Sequence, residues 1–375
     1  MSQALKSFML AGKELGCAEP RNSERPVYWI GPRYGHYATH SGYERISEFI
    51  GRQIWSPMAK RWLSGNVGWR IDSAVTRFTS RPLYSLSNLL TEVSVFIHML
   101  FHRRGFYHVY YGSTDVWLLG FLRRVTGNLL AATFHEHVPA LEWFRVEQVA
   151  KRLDAIFLVS MTQRVAFKNV PPDIPVFVVP HGVDTTFFRP ADRLSADPVC
   201  ITVGLHLRDF ETYSGAIEQV LSVRPDARFI AVGTRRDDKD SSKLWHDKVE
   251  FYDNISDEQL LELYHASRVA CFSLSDLTCS NAILEAMACG LPLVLTNVGG
   301  ALEYVTREAA VLCRPGDANE FAQGIVALLE HRPEIAKMGA ASRQRALRFD
   351  FTTVAEEMRR AYLLAVSDRR QSGIS

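Results

Sequence analysis

The chain contains 375 residues, of which 47% are hydrophobic and 22% charged, and its net charge is +2. This length suits two domains of about 150 to 190 residues each, and the composition is typical of a globular protein rather than a disordered or fibrous one. No apolar run reaches the roughly 18 residues of a membrane-spanning helix, and residues 1–25 lack the apolar block of a signal peptide. We therefore expect a cytoplasmic protein, either free or peripherally bound to the inner face of the cell membrane.

Charge is divided unequally between the two halves of the chain. Residues 1–190 carry 22 Lys and Arg against 14 Asp and Glu, whereas residues 191–375 carry 21 against 27. Such a split indicates that the first half meets an anionic surface or ligand. We find no nucleic-acid-binding motif that would explain the excess. The six cysteines include no CxxC pair, which is typical of reduced thiols in a cytosolic protein.

Short apolar segments alternate with helical patterns in residues 26–190, which follow a polar extension at residues 1–25. The first predicted strand is PVYWIGP, and a loop then leads into a helical pattern from about Gly42. The other strands predicted in this half are HVYYG at 108–112, LLAATFHEH at 129–137, AIFLVS at 155–160 and VFVVPHGVD at 176–184.

The second half repeats this alternation over residues 191–348. Its predicted strands are short and rich in β-branched residues, namely CITVG, ARFIAVG, VEFYD, VACFS, LPLVLT and AAVLC. Buried strands separated by helices predict parallel sheets with helices on both faces. The sequence therefore predicts an α/β protein of two Rossmann-like domains that face a central cleft, with ligands at the carboxyl ends of the strands.

The stretch NAILEAMACG at residues 281–290 places one carboxylate, Glu285, in an otherwise apolar block. Ser280 suits the N-cap of a short helix and Gly290 its end. The first amides of this helix, with its positive dipole end, would form an anion site. Glu285 lies about one turn further on and would accept hydrogen bonds from a vicinal diol, such as the ribose of a nucleotide. The alternative is that Glu285 faces solvent.

The segments SNAILEAMACGLPLVLTNVGGALEYV from Ser280, VVPHGVDTTFFRP from Val178 and ATFHEH from Ala132 resemble the retaining GT-B glycosyltransferases of family 4. The resemblance spans about residues 26–366 and is strongest over 176–305. It implies the GT-B fold, a UDP- or GDP-linked sugar as donor, no metal requirement, and transfer with retention at the anomeric carbon. It also implies that the last segment, residues 349–375, crosses back as a helix to the first domain.

The resemblance implies a role for each matching position. Glu285 would hold the ribose, His135 would reach the donor sugar, and Ile255 would lie near the base. The loop around Gly42 would lie under the phosphates and the acceptor. The implied donor residues are Glu285, Thr278, Ser280, Asn281, Ile255, Gly204 and Gly233, and the implied acceptor residues are Thr39, His40, Gly42, Tyr43 and His137.

Two positions depart from the family pattern. The acidic residue expected eight positions before the ribose carboxylate is Leu277, with Asp276 one step away. The arginine expected after the first strand of the second domain is Leu205, and Arg208 follows three positions later. We expect Arg208 to supply the positive charge at the diphosphate, where a guanidinium makes paired hydrogen bonds. The alternative is a surface ion pair with a neighbouring carboxylate.

Transfer from such a donor leaves negative charge on the nucleotide diphosphate. Without a metal, backbone amides, a helix end and Arg208 would stabilise this charge, which is often the largest catalytic contribution. The acceptor would attack from the face that the leaving group vacates, so we assign no enzyme base. Two other functions stay open, a nucleotide-sugar-binding subunit without activity, favoured by Leu277, and a phosphorylase or epimerase. The spacing of His135, Glu136 and His137 disfavours a metal site.

Residues 84–104 form the most ambiguous predicted helix. An ordinary core-facing helix would bury its apolar face, but Arg103 and Arg104 follow directly. Basic residues around an apolar face also suit docking onto anionic lipid. This second interpretation implies a glycan or lipid-linked acceptor, as in cell-envelope or exopolysaccharide synthesis. The residues of the predicted apolar face are Leu86, Leu89, Leu90, Val93, Phe96, Ile97 and Leu100.

Overall fold

The computed structural model describes residues 25–31, 40–55, 66–192, 195, 197–233 and 248–371. Every strand predicted from the sequence is confirmed, and β2 is an additional strand that the sequence analysis did not predict. The strands are β1 Val27–Gly31, β2 Arg52–Trp55, β3 Phe106–Val109, β4 Leu129–Phe134, β5 Ala155–Leu158, β6 Val176–Val178, β7 Val199–Val203, β8 Arg228–Val232, β9 Val249–Tyr252, β10 Val269–Phe272, β11 Leu293–Thr296 and β12 Ala310–Cys313.

Helices occupy most of the chain between the strands. Within the described ranges, every helix is too short or too polar to span a bilayer. Short 3-10 helices cover Tyr43–Ile46, Met161–Phe167 and Leu347–Phe349. The α-helices are α1 Ser47–Ile50, α2 Asn66–Thr79, α3 Leu86–Phe101, α4 Gly112–Asp115, α5 Leu119–Thr126, α6 Val138–Trp143, α7 Val146–Ala150, α8 Phe210–Val223, α9 Asp257–Ala266, α10 Asn281–Ala288, α11 Ala301–Tyr304, α12 Ala318–Glu330, α13 Arg332–Ala346 and α14 Phe351–Gln371.

The described strands form two 6-stranded sheets, ordered β2-β1-β3-β4-β5-β6 and β12-β11-β10-β7-β8-β9. All neighbouring strands in both sheets are parallel. The central strands are buried on both faces, as a parallel sheet covered by helices requires. In the second sheet the chain order reverses between β7 and β10, and the strand ends there form a crevice. The predicted α/β fold with two Rossmann-like sheets is confirmed.

The C-terminal helix α14 packs on the first sheet, although it follows the second sheet in the chain. Its Val354, Met358 and Tyr362 are buried in one cluster with Trp29 of β1. The Tyr362 hydroxyl also lies 2.7 Å from Nδ1 of His108 in β3. The chain therefore passes between the two domains twice, once after β6 and once before α14.

Helix α3 buries a different face from the one that its apolar pattern predicts. Leu90 and Ile97 are 43% and 51% exposed, whereas Glu92 and Met99 are buried. The Glu92 carboxylate accepts hydrogen bonds from the backbone amides of residues 117–119, where α5 begins. Because buried amides at a helix start need partners, Glu92 must point inward. This fixes the rotation of α3. Leu90, Val93, Ile97 and Leu100 of the predicted row are exposed, so the core-facing interpretation is wrong for them, whereas Leu86, Leu89 and Phe96 are partly buried.

Candidate functional site

Helix α10 starts at the edge of the second sheet where the carboxyl ends of the strands lie. It follows β10 through a loop, and Ser280 occupies its N-cap with an extended backbone. The Ser280 carbonyl accepts the Leu284 amide at 3.2 Å, but the Ser280 side chain makes no capping hydrogen bond. The first amides of α10 therefore lack that cap, and with the helix dipole they favour an anion at this position.

Glu285 is buried in the second turn of α10, so the alternative that it faces solvent is wrong. It is 3% exposed, and its carboxylate accepts a hydrogen bond from the Tyr264 hydroxyl at 2.9 Å. Ser41 of the first domain also hydrogen bonds to it. Burial raises the pKa of the Glu285 carboxyl, while the two hydroxyls oppose this shift. A buried carboxylate bonded to hydroxyls can exchange one of them for a hydroxyl of a ligand.

Arg208 lies where the strand order of the second sheet reverses. It follows Gly204, whose φ of 86° favours glycine. Its Nη2 donates to the Val203 carbonyl, and its guanidinium lies 5.2 Å from the centre of the Phe272 ring. Its Nε has no hydrogen-bond partner among the described residues. Asp209 caps the start of α8, so its carboxylate is directed to helix amides rather than to Arg208.

The environment of Arg208 suits an anionic ligand. Burial lowers the pKa of Arg208 to about 10, so the guanidinium stays charged at neutral pH. A pocket of about 350 Å³ opens beside it, and its lining includes Leu205 and Phe210 together with the acidic residues Asp209 and Glu211. The Arg208 side chain is half-buried, and its buried Nε–H group costs free energy until an acceptor reaches it.

Two histidines of the first domain reach the start of α10. His135 lies directly after β4, with Nδ1 2.9 Å from His181 Nε2 and Nε2 2.8 Å from the Tyr110 carbonyl oxygen. Nδ1 of His181 lies 3.0 Å from the side-chain carbonyl oxygen, Oδ1, of Asn281. The Thr278 hydroxyl donates to the His135 carbonyl at 2.7 Å. The structure thus brings Thr278 and Asn281 together with His135 across the cleft.

Both of these histidines are neutral. Burial lowers the pKa of His135 to about 3 and that of His181 to about 4. Both ring nitrogens of His135 are bonded within the ligand-free protein, so a donor sugar would have to replace one of these bonds to reach the ring. Within the described ranges, no three His, Cys, Asp or Glu side chains are grouped as metal ligands.

His40, in the loop before Gly42, contacts both the segment after β6 and the second domain. The His40 ring stacks on Phe187 with the ring centres 3.7 Å apart, and its Nδ1 lies 2.9 Å from the Asp184 carboxylate. The His40 backbone amide donates to Asp257 at the start of α9. Gly42 itself has a φ of 107°, which favours glycine. These contacts hold the loop over the second domain.

The other predicted acceptor residues lie in different places. Tyr43 is buried and its hydroxyl lies 2.8 Å from Thr133 Oγ1, so the prediction that it faces an acceptor is wrong. The Thr133 hydroxyl on β4 provides a buried hydrogen-bond partner for the Tyr43 phenol. Burial raises the pKa of Tyr43. His137 faces His206 of the second domain at 6.5 Å between ring centres, and its Nδ1 has no partner among the described residues. Thr39 lies outside the described residues.

The remaining predicted donor residues line the second domain after its strands. Gly233 follows β8 with a φ of 72°, and Ile255 packs partly buried against the core. Leu277 is buried in the same core, while Asp276 accepts the Leu277 amide at 2.7 Å. The position eight residues before Glu285 is therefore part of the hydrophobic core, and the Asp276 carboxylate is hydrogen-bonded to the next backbone amide in the chain.

Three further residues complete the site and were missed in the sequence analysis. His181 stands in the HGVD segment, but no local pattern shows that its ring meets His135. Tyr264 lies in a helix whose pattern explains it as a core residue. Ser41 reaches Glu285 from the other domain. All three depend on contacts between distant parts of the chain, which periodicity does not encode.

Comparison with known proteins finds that this chain is similar to glycosyltransferases. Residues 197–331 match the protein family described as glycosyl transferases group 1. A GDP-mannose-dependent monoacylated alpha-(1-6)-phosphatidylinositol monomannoside mannosyltransferase of Corynebacterium glutamicum is 25% identical over 225 residues, which are 53% of this chain and 58% of the relative. The chain spans a little over half the length of the first curated relatives that it matches.

Solved structures show the same fold over nearly the whole chain. The sucrose-phosphate synthase of Thermosynechococcus elongatus superposes with a TM-score of 0.70 at 18% identity and covers 92% of this chain and 100% of its own. HepE of Anabaena, solved in complex with UDP and glucose, has a TM-score of 0.64 at 14% identity and covers 90% and 99%.

The fold of this chain is therefore the two-domain GT-B fold that the sequence predicts. Its residues 197–331 are similar to the glycosyl transferases group 1 family. This segment contains Arg208, α10 and Glu285.

We expect Glu285→Gln to stabilise the ligand-free protein, because the buried side chain keeps an acceptor for Tyr264 but carries no charge. The free energy of unfolding at pH 7 should rise by about 0.5–2 kcal/mol. The raised pKa of Glu285 means that the folded state binds more protons than the unfolded state above the ordinary pKa of about 4.3. The wild-type free energy of unfolding should therefore fall relative to that of the variant as the pH rises above about 4.5.

Urea denaturation across this pH range measures the difference. The matched control is Glu262→Gln, at an exposed position on the neighbouring helix α9, which should leave the free energy of unfolding within about 0.5 kcal/mol. A Glu285→Gln variant that is destabilised at pH 7, or that follows the wild-type pH dependence, contradicts a buried carboxylate that costs stability.

Proposed function

We propose that this protein transfers a sugar from a nucleotide-diphosphosugar to a glycan or lipid-linked acceptor with retention of the anomeric configuration. The observation that supports it most is the convergence of three features at one crevice of the second sheet. Arg208 and the start of α10 suit a diphosphate. The buried carboxylate of Glu285 suits the diol of a ribose.

The chemistry follows from charge development in the transition state. As the bond between sugar and phosphate breaks, negative charge grows on the nucleotide diphosphate. Arg208 and the first amides of α10 are fixed before reaction and stabilise this charge without reorganisation. The acceptor attacks from the face that the diphosphate leaves, and the departing phosphate takes its proton. This route needs neither a metal ion nor an enzyme nucleophile.

The donor base is uridine or guanosine. The Corynebacterium relative is named as GDP-mannose-dependent, whereas the Anabaena structure contains UDP. Ile255 follows β9 on the second domain, and we place it near the base.

A membrane-bound acceptor would explain the exposed apolar row of α3. Ile97 and Phe101 are 51% and 79% exposed, and Arg103 and Arg104, directly after the helix, are exposed as well. Phe121 of the adjoining α5 extends the row at 53% exposure. We therefore place this face on an anionic lipid surface, where each basic residue adds about 1 kcal/mol to binding. The protein would then act peripherally at the cytoplasmic face of a membrane, in cell-envelope or exopolysaccharide synthesis.

A nucleotide-sugar-binding subunit without activity is the second candidate. The observation that favours it is the buried Leu277 in place of an acidic residue. Such a subunit would bind the nucleotide sugar but release no nucleotide when acceptors are supplied. A phosphorylase or epimerase would instead turn over without an added sugar acceptor.

We expect isothermal titration in the presence of a chelator to show micromolar binding of UDP or GDP. Glu285→Ala should weaken this binding by at least about tenfold, because hydrogen bonds to a charged acceptor contribute about 1.5–3 kcal/mol. The control Glu262→Ala should bind as the wild type does. If neither nucleotide binds, or if Glu285→Ala binds normally, the assignment of the donor site fails.

We also expect the wild-type chain to sediment with vesicles that contain phosphatidylglycerol and not with vesicles of phosphatidylcholine alone. Arg103→Ala/Arg104→Ala should reduce the bound fraction several-fold with an unchanged melting temperature, because two charges near an anionic surface are lost.

The matched control for the vesicles is Lys337→Ala/Arg348→Ala, which removes the same charge from exposed positions of the second domain. Unchanged binding of the Arg103/Arg104 variant, or an equal loss in the control, would show that α3 is not the docking surface.

A further inference from the structure

The short helix α11 contacts both domains. It belongs to the second domain, where the Arg345 guanidinium of α13 donates to the backbone carbonyls of Glu303 and Tyr304. The side chain of Tyr304 reaches the first domain, where its hydroxyl donates to the Val159 carbonyl, directly after β5, at 2.6 Å. The proposed reaction assigns no step to this helix. Its contacts nevertheless extend from one domain to the other.

The Glu303 carboxylate accepts three hydrogen bonds from one turn of the first domain. Its Oε1 accepts from the Ser160 hydroxyl at 2.7 Å and from the Thr162 amide at 3.4 Å, and its Oε2 accepts from the Met161 amide at 2.8 Å. These amides begin the 3-10 helix Met161–Phe167, and the first amides of a helix have no partner within it. The helix dipole and charge-assisted hydrogen bonds both favour a carboxylate there. Glu303 of one domain therefore completes the start of a helix in the other.

Gly300, directly before α11, holds the loop that leads to α10. Its amide donates to the Leu277 carbonyl at 2.6 Å. A Cβ atom on Gly300 would lie 2.8 Å from the Thr278 carbonyl oxygen and 2.8 Å from Ser160 Oγ, too close for an ordinary contact. The Thr278 hydroxyl in turn donates to the His135 carbonyl at 2.7 Å. The loop, Gly300 and the first domain are therefore packed together at one point.

We propose that Glu303 is a positioning residue that clasps the two domains and thereby fixes the loop at Leu277 and Thr278. The α11 clasp consists of the bonds from Glu303 and Tyr304 to residues 159–162. These bonds form only when the domains approach, so the clasp favours the closed arrangement before any ligand arrives. A ligand at the start of α10 would then meet a loop that is already ordered.

The identity of that ligand as a nucleotide sugar rests on the proposed glycosyl transfer. The clasp itself does not, because all of its contacts are made within the ligand-free chain. It can therefore be tested without a nucleotide.

Amide hydrogen exchange of the ligand-free chain, measured by NMR, separates a clasp from a local cap. Glu303→Ala should speed exchange of the Met161 and Thr162 amides, because their partner is lost. It should also speed exchange of the His40 amide several-fold. This amide donates to the Asp257 carboxylate at 3.1 Å, a contact between the domains that shares no residue with the clasp. Exchange there reports how often the domains separate.

The matched control is Glu308→Ala, which removes the same charge at an exposed position after α11. It should leave the exchange of all three amides unchanged. The radius of gyration from small-angle X-ray scattering should rise in Glu303→Ala and not in Glu308→Ala. An unchanged His40 amide in a folded Glu303→Ala variant shows that Glu303 is only a local cap and overturns the inference.

Two further variants decide the question if Glu303→Ala does not fold. Glu303→Gln keeps an acceptor for the Met161 amide and an NH₂ group for the Ser160 hydroxyl but loses the charge, so a smaller increase in His40 exchange is expected. Gly300→Ala leaves Glu303 in place and inserts a methyl group against Ser160, which should also separate the domains. Wild-type exchange of the His40 amide in both variants would contradict the clasp.

Titration with UDP and GDP tests the consequence for a ligand. If binding requires the closed arrangement, the dissociation constant rises as that arrangement becomes less populated. Glu303→Ala should therefore raise the dissociation constant of the nucleotide that the wild type binds by at least about fivefold, and Glu308→Ala should change it by less than about twofold.

The outcomes separate this inference from the proposed function. If the wild type binds no nucleotide, the glycosyl transfer proposal fails, and the hydrogen exchange of the ligand-free chain still decides whether the clasp exists. If Glu303→Ala separates the domains but binds nucleotide as the wild type does, the role of the clasp in preparing the loop for a ligand is wrong.

Discussion

Hydrogen bonds between the start of α10 and the first domain connect the two halves of the candidate site. Thr278 donates to the His135 carbonyl, Asn281 meets His181, and Ser41 reaches Glu285. Buried polar groups need partners whether or not a ligand is present, and here they find them in the opposite domain. A nucleotide sugar that enters must exchange some of these contacts. The ribose would replace Ser41 at Glu285.

The site contains one half-buried cation and one buried carboxylate that do not neutralise each other. Arg208 donates to backbone carbonyls and lies over the face of Phe272, and Glu285 accepts from hydroxyls. Both arrangements cost stability in the absence of ligand, because the buried Nε of Arg208 lacks an acceptor among the described residues and the Glu285 carboxylate is removed from water without an ion pair. Sites that depart from the rules of good packing are expected where a ligand supplies the missing partner. A diphosphate would do so for Arg208, and a diol for Glu285.

Local sequence patterns predict most of the fold. Most of the wrong predictions concern residues whose environment depends on long-range contacts. Short apolar runs between helices predict the strands and the parallel sheets, because both faces of each strand are buried. The face of α3 was predicted wrongly because Glu92, which looks like a surface residue, satisfies buried amides at the start of α5. The special position of Glu285 can be seen in the sequence, because it is a single carboxylate in the otherwise apolar block 281–290. The inward turn of Tyr43 and the bonding of His181 depend on Thr133 and His135, which lie 90 and 46 residues away.

The most direct test of this account is a crystal structure of the chain grown with UDP or GDP. The account predicts the diphosphate between Arg208 and the first amides of α10, with the ribose hydroxyls on Glu285 and the Ser41 hydroxyl displaced from that carboxylate. The bond between His135 and His181 should persist. A nucleotide bound elsewhere, or one bound while Ser41 remains on Glu285, would contradict the assignment of this crevice as the donor site.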